Sequence, residues 1–255
     1  MNELLKMTAH QVKEGKFDKV ILAIGSCEAH GQHLAEGCDT IVSYELSKQV
    51  ADRVPGMLVL PPITVGYSAH YDTFPFTLTF DYETMIHVIY DIVESVLRNG
   101  INKIFLMNGH DGNIAPIEIA ARKVKEKYPD ARIASLPEWW VIAGKLVPEG
   151  TFAVWNGLGH AGEGETSIAY HLFPQWCEPD QATCVVPDHL PEHVDIKWDF
   201  AEITDTAQTG DATVATAAKG KLMNDCLVEA VVKDIEALEK TGWNYNTSHC
   251  ATKLK

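Results

Sequence analysis

The chain has 255 residues, 35 of them acidic and 21 basic, giving a formal net charge of −14. A makeup of 46% hydrophobic and 22% charged residues is that of a folded globular protein and excludes wholesale disorder. The acidic field disfavours nucleic-acid and anionic-membrane partners. No apolar run reaches the roughly 18 residues a spanning helix needs, and Glu3, Lys6, Glu14, Lys16 and Asp18 break any leader-like apolar core, so a cytoplasmic protein is expected.

In chain order, Lys19–Ser26 reads as a strand buried on both faces, and Val42, Leu46, Val50 and Val54 predict a helix over Thr40–Val54. A short apolar run, Met57–Leu60, stops at Pro61-Pro62. Thr77–Phe80 is β-like, Glu83–Leu97 has helical periodicity, and Lys103–Met107 is a second buried strand. Asn108–Gly112 forms a loop, Ile114–Lys127 an amphipathic helix with Asn113 as its N-cap, and Arg132–Leu136 a shorter strand. Glu163–Phe173 and Ala212–Leu238 supply later helices, and Pro174–Asp211 is the least regular stretch, an insertion or interface arm. Strands alternating with helices predict a three-layer α/β/α sandwich with a mostly parallel central sheet, in one domain over residues 1–255.

In such sheets the chemistry gathers beyond the carboxyl ends of the strands. There the first strand is followed by Glu28, His30, His33 and Asp39, four potential ligands within twelve residues. Glu28 and His30, two apart on extended backbone, point the same way. Asp39 also stands where an N-cap would. The second buried strand ends in N-G-H-D-G-N, which presents His110 at the same edge. A third cluster, G-L-G-H-A-G-E-G-E-T-S over residues 157–167, contains His160, Glu163 and Glu165. It spells a dinucleotide fingerprint, but two glutamates would meet the pyrophosphate and no βαβ unit opens there, so a nicotinamide enzyme is rejected. Carboxylate and imidazole donors favour zinc, manganese or ferrous iron. The six cysteines, at 27, 38, 177, 184, 226 and 250, form no C-x-x-C pair and read as buried thiols.

Taken in order, G-S-C-E-A-H-G-Q-H-L, G-C-D-T, N-G-H-D-G-N and H-A-G-E-G-E-T-S resemble the creatininase (creatinine amidohydrolase) family over about residues 18 to 170. The resemblance implies a creatininase-like fold, a homo-oligomer, often a hexamer, and two divalent metal ions per chain. It implies Glu28, Asp39 and His110 at one ion and His30 with a bridging Asp39 at the other. The family glutamate that completes the second position is here Gly112, and Glu165 is its expected replacement. His160 corresponds to a family histidine that faces substrate and handles protons; together with Glu165 it is expected to be catalytic. His33, His70, Tyr71 and Asp111 are the expected substrate contacts.

Two departures bear on substrate. Asp111 stands where creatininase has an aromatic residue, and His70-Tyr71 replaces a Glu-His pair. Both argue against creatinine. The expectation is a hydrolase in which an activated water attacks the carbonyl of a small cyclic non-peptide amide. Ring opening of a cyclic keto-sugar, keto-inositol or lactone is the second reading, and a non-catalytic metal-dependent binding protein the third.

Overall fold

The computed structural model describes residues 2–188, 193 and 196–244; Cys250 lies outside them. The elements in chain order are α1 (Ala9–Glu14), β1 (Lys19–Ile24), α2 (Cys38–Arg53), β2 (Met57–Val59), α3 (Tyr82–Arg98), β3 (Lys103–Asn108), α4 (Ile114–Lys127), β4 (Arg132–Leu136), α5 (Trp139–Leu146), α6 (Glu163–Leu172), β5 (Cys184–Val185), β6 (Gly210–Asp211) and α7 (Ala217–Lys240). Strands β2-β1-β3-β4 make an all-parallel sheet in that order, and β5 and β6 pair antiparallel beside it.

The strand sequences explain the layering. β1 is buried along its whole length, as a parallel strand covered on both faces must be. Val20, Leu22 and Ile24, with Leu58, Ile104 and Leu106, pack beneath α3 and α4, while Ile21, Val59, Phe105 and Met107 face α2, α5, α6 and α7. The alternation of period two thus builds two separate cores, one per face. This is the expected three-layer α/β/α sandwich. Among the described residues, no helix is long and apolar enough to cross a membrane.

Register positions the site. Lys19 lies opposite both Met57 and Lys103, and Lys103 opposite Arg132, so the strands start level and their carboxyl-end loops emerge at one edge. There the loop after β3 presses onto the start of α2. A Cβ at Gly109 would lie 2.4 Å from the Asp39 carbonyl oxygen, so only glycine permits this approach.

Four local features depart from expectation. Thr77–Phe80 makes only isolated bridges, Cys27 with Leu78 and Gly66 with Thr79, because the segment crosses the loops after β1 and β2 instead of joining the sheet. Asn113 does not cap α4 with its side chain. Its amide instead accepts from Tyr67 N at 3.0 Å and donates to Gly25 O at 3.0 Å, joining three loops. The unexpected α1 is held by a Thr8/Gln11 capping box, and the unexpected α5 lies against α7 and fills the second core with Trp139 and Ala143. Within Pro174–Asp211, Gln208 ties the segment down by donating to Thr183 O and Gly210 O.

Candidate metal centre

Ser26 ends the buried run of β1, and the chain then carries Glu28 and His30 into a pocket sealed from water, each 0% exposed. Asp39 enters from the first turn of α2, whose N-cap is Gly37, so its carboxylate is not spent on capping. Its Oδ2 accepts from Ser26 Oγ at 2.6 Å, which fixes the carboxylate plane. His110 arrives from the loop after β3, its Nδ1 3.1 Å from both Glu28 Oε1 and Asp39 Oδ2.

The hydrogen bonds of the two imidazoles define their tautomers. His110 Nε2 lies 2.8 Å from the Tyr67 carbonyl oxygen, which can only accept, so Nε2 carries a proton. His30 Nδ1 likewise donates to the Glu28 carbonyl at 3.1 Å. Each neutral ring therefore turns a lone pair on carboxylates, His110 on Glu28 and Asp39, and His30 Nε2 on Asp39 Oδ1 at 2.9 Å. Lone pairs facing carboxylates repel unless a proton or a cation lies between them. Without a cation, protons fill the role. Burial opposes protonation of both rings, yet Asp39 pushes His30 up to about 10 and Glu28 raises His110 well above the usual histidine range. Burial of Asp39 and Glu28 is likewise overcome, by His30 and His110 respectively, and both carboxyls are lowered.

A divalent cation fits this donor set better than two protons do. Both oxygens of Glu28 are buried without a hydrogen bond of proper geometry, an expensive arrangement for a carboxylate unless a metal takes them. Glu28, Asp39 and His110 bring one ligand atom each within 4.8 Å of one another, as do Glu28, His30 and His160, and also His30, Cys38 and Asp39. Ring N–H groups tied to backbone carbonyls are the usual outer support of metal-binding histidines.

Beside the cluster lies a cavity of 310 Å³ lined by Asp39, Tyr71, His110, Asp111, His160, Glu165 and Phe200 among others. His160 Nε2 donates to Ala29 O at 2.7 Å, leaving Nδ1 4.0 Å from Glu28 Oε1. Burial and the His30 charge lower it to about 3, so its ring stays neutral. Glu165 Oε2 accepts from Ala161 N at 2.7 Å, and burial raises its carboxyl to about 7. Glu165 stands outside the three ligand groups, although its charge is felt at His30. Glu163 turns away, binding Lys219 at 2.5 Å and Ala153 N at 2.7 Å.

Tyr71 and Asp111 reach the inner cavity, and His70 with Asp111 also lines an outer groove of 810 Å³ that contains Tyr67, Tyr82 and Trp198. His33 lines neither. It is buried, and because Thr166 Oγ1 donates to Ala161 O, the 2.8 Å contact with Thr166 makes His33 Nε2 the donor, so it braces the glycine-rich turn. Sequence reasoning missed Phe200, whose ring lies 4.6 Å from Tyr71 and 5.1 Å from His160 between centroids. An apolar residue in an irregular segment carries no local signal of such a role. It also missed the Tyr67 carbonyl, which as backbone leaves no mark in residue type.

The comparisons agree with this architecture. The chain is 27% identical to a creatinine amidohydrolase of Pseudomonas putida, over 85% of this chain and 88% of that one. It is 25% identical to a mycofactocin precursor peptide peptidase of Mycobacterium ulcerans (strain Agy99), over 89% and 90% respectively. A solved structure described as "Creatininase Mn" superposes with a TM-score of 0.80 at 25% identity, covering 92% of this chain and 98% of its own. A family model described as "Creatininase: Creatinine amidohydrolase" matches residues 5–235. Strand order, converging donors and a match over nearly the whole length lead to one conclusion: the chain belongs to the creatininase family.

Proposed function

We propose that this protein is a hydrolase using two divalent cations to cleave a small, cyclic, non-peptide amide other than creatinine. The observation that carries the reading is the pair of imidazole lone pairs aimed at carboxylates, with the buried Glu28 oxygens making no hydrogen bond of proper geometry. Glu28, Asp39 and His110 would hold one ion, and His30, Asp39 and Glu165 the other, with Asp39 shared. Cations bound there, zinc, manganese or iron, supply Lewis acidity that polarises a carbonyl and acidifies a water.

The chain's own residues do the rest. His160 is held by Ala29 O with Nδ1 as its free acceptor, so that atom can accept a hydrogen bond from the attacking water and pass its proton on to the leaving nitrogen without staying charged. Glu165 borders the same space, held by Ala161 N. Tyr71 and Phe200 wall the cavity and exclude water, while Asp111 and His70 offer hydrogen bonds to a heteroatom-rich substrate and His33 supports the turn behind them. Asp111 places a charge where a flat ring would want an aromatic face. We further take the enzyme to act in the cytoplasm, as one domain per chain within a homo-oligomer.

The outer groove favours a second reading, a peptide amide whose flanking residues lie along Tyr67, Tyr82 and Trp198, in keeping with the peptidase among the relatives. A product screen over cyclic amides, short peptides, lactones and keto-sugars decides the bond. His160→Ala should keep its ions and lose roughly 100-fold or more in turnover. Loss of metal from that variant, or brisk creatinine hydrolysis by the intact protein, would sink these assignments.

A further inference from the structure

Cys38 is the one donor of the three ligand groups that the hydrolytic reading leaves unused. It is 1% exposed, immediately precedes the shared Asp39 at the start of α2, and belongs to a fully buried group with His30 and Asp39 whose ligand atoms lie within 4.8 Å of one another. The wall of the inner cavity includes Asp39, His110 and Glu165 but not His30 or Cys38. Cys38 itself belongs to the apolar core beneath α2 and not to the cavity wall, so it would meet His30 and Asp39 from the buried side. The buried Glu28 carboxylate beside them, whose oxygens make no hydrogen bond of proper geometry, points independently to a cation at this cluster.

We infer that Cys38 is a thiolate ligand of the second cation, closing that position from the buried side and making it a soft site that selects zinc over manganese. The inference rests on the two-cation reading above and adds a sulfur donor to one of its two positions. On binding, the S–H bond breaks as the sulfur–metal bond forms, and the proton passes to the solvent buffer. Nitrogen, oxygen and sulfur donors together make a mixed set that suits tetrahedral zinc. Manganese prefers carboxylate, carbonyl and water.

Cobalt(II) is the probe, because thiolate ligation gives it an intense near-ultraviolet charge-transfer band that nitrogen and oxygen ligands do not. The full chain, stripped by chelation, is titrated with cobalt while bound metal is counted directly. Two equivalents should bind, and the band should grow with only one of them. Cys38→Ser should lose the band and at least about 10-fold in zinc affinity at one position, since disturbing even the outer supports of a ligand costs that much. Cys27→Ser and Cys177→Ser should keep both. Manganese should fill one position per chain. Should Cys38→Ser fail to fold, the cadmium-113 resonance of the intact chain gives the same answer, a sulfur-bound ion resonating far downfield of one held by nitrogen and oxygen. Two bound cobalt ions with no charge-transfer band, or a band that survives in Cys38→Ser, would overturn the inference and leave the metal centre standing. No bound cobalt at all would overturn the centre itself.

Discussion

Position 112 has no room for a side chain. A Cβ there would lie 2.1 Å from the Tyr67 carbonyl oxygen and 2.6 Å from His110 Nε2, the two atoms whose hydrogen bond fixes the His110 tautomer. The resemblance to creatininase invites Gly112→Glu as a way to regain the family carboxylate. The geometry forbids it, because the first atom met is backbone. That variant should therefore lose zinc affinity by roughly 10-fold or more, the scale for disturbing a ligand's outer support, as read by titration against a chromogenic chelator. Tighter zinc binding would show that the Tyr67 loop yields. Much of the site was legible at this scale. Glu28, His30, Asp39 and His110 are charged or polar residues placed directly after buried strands, where ordinary packing has no use for them. Tyr67 and Phe200 were not, since a carbonyl and a phenyl ring look the same in sequence whether or not a cavity adjoins them.

At the element scale, the far end of the sheet is pinned to α7. Lys19 Nζ, on a residue only 5% exposed, binds Asp18 at 2.5 Å and the Pro55 carbonyl at 2.9 Å. Lys103, its register partner on β3, binds Asp18 at 3.1 Å and Glu239 of α7 at 2.8 Å. Burial works against the charged carboxylates, but the lysines beside them hold both below the usual range. A carboxyl lowered by folding adds stability above its unfolded pKa, about 4 for Asp and Glu, and that stability disappears as pH falls through the folded value. Glu239→Gln should therefore melt below the intact protein at pH 7, with the gap narrowing under about pH 4. An unchanging gap would assign Glu239 a packing role only. The strands here were readable because two-sided burial leaves unbroken apolar runs such as V-I-L-A-I. α5 was hidden for the opposite reason: W-W-V-I-A-G-K-L is apolar almost all round and shows no helical stripe. α1 is too short and polar for one, with no buried residue.

For the whole molecule, what matters is where the donors come from. Glu28 follows β1, Asp39 opens α2 and His110 follows β3, so a cation at this cluster would connect segments far apart in the sequence. An unfolded chain offers no such convergence, and ligands that bind only the folded state stabilise it by mass action, about 2.7 kcal/mol at a hundredfold excess over Kd. For a chain of this size that corresponds to a Tm rise of roughly 5–10 °C. Melting should accordingly climb with the logarithm of free zinc and fall on chelation; metal bound with no change in Tm would mean that the unfolded chain binds it equally well. A cation bound there would then also be a clasp, and its loss would have a consequence apart from chemistry. Proteases cut the transiently opened chain in proportion to how often it opens, so a metal-starved population of this protein should be short-lived as well as inactive.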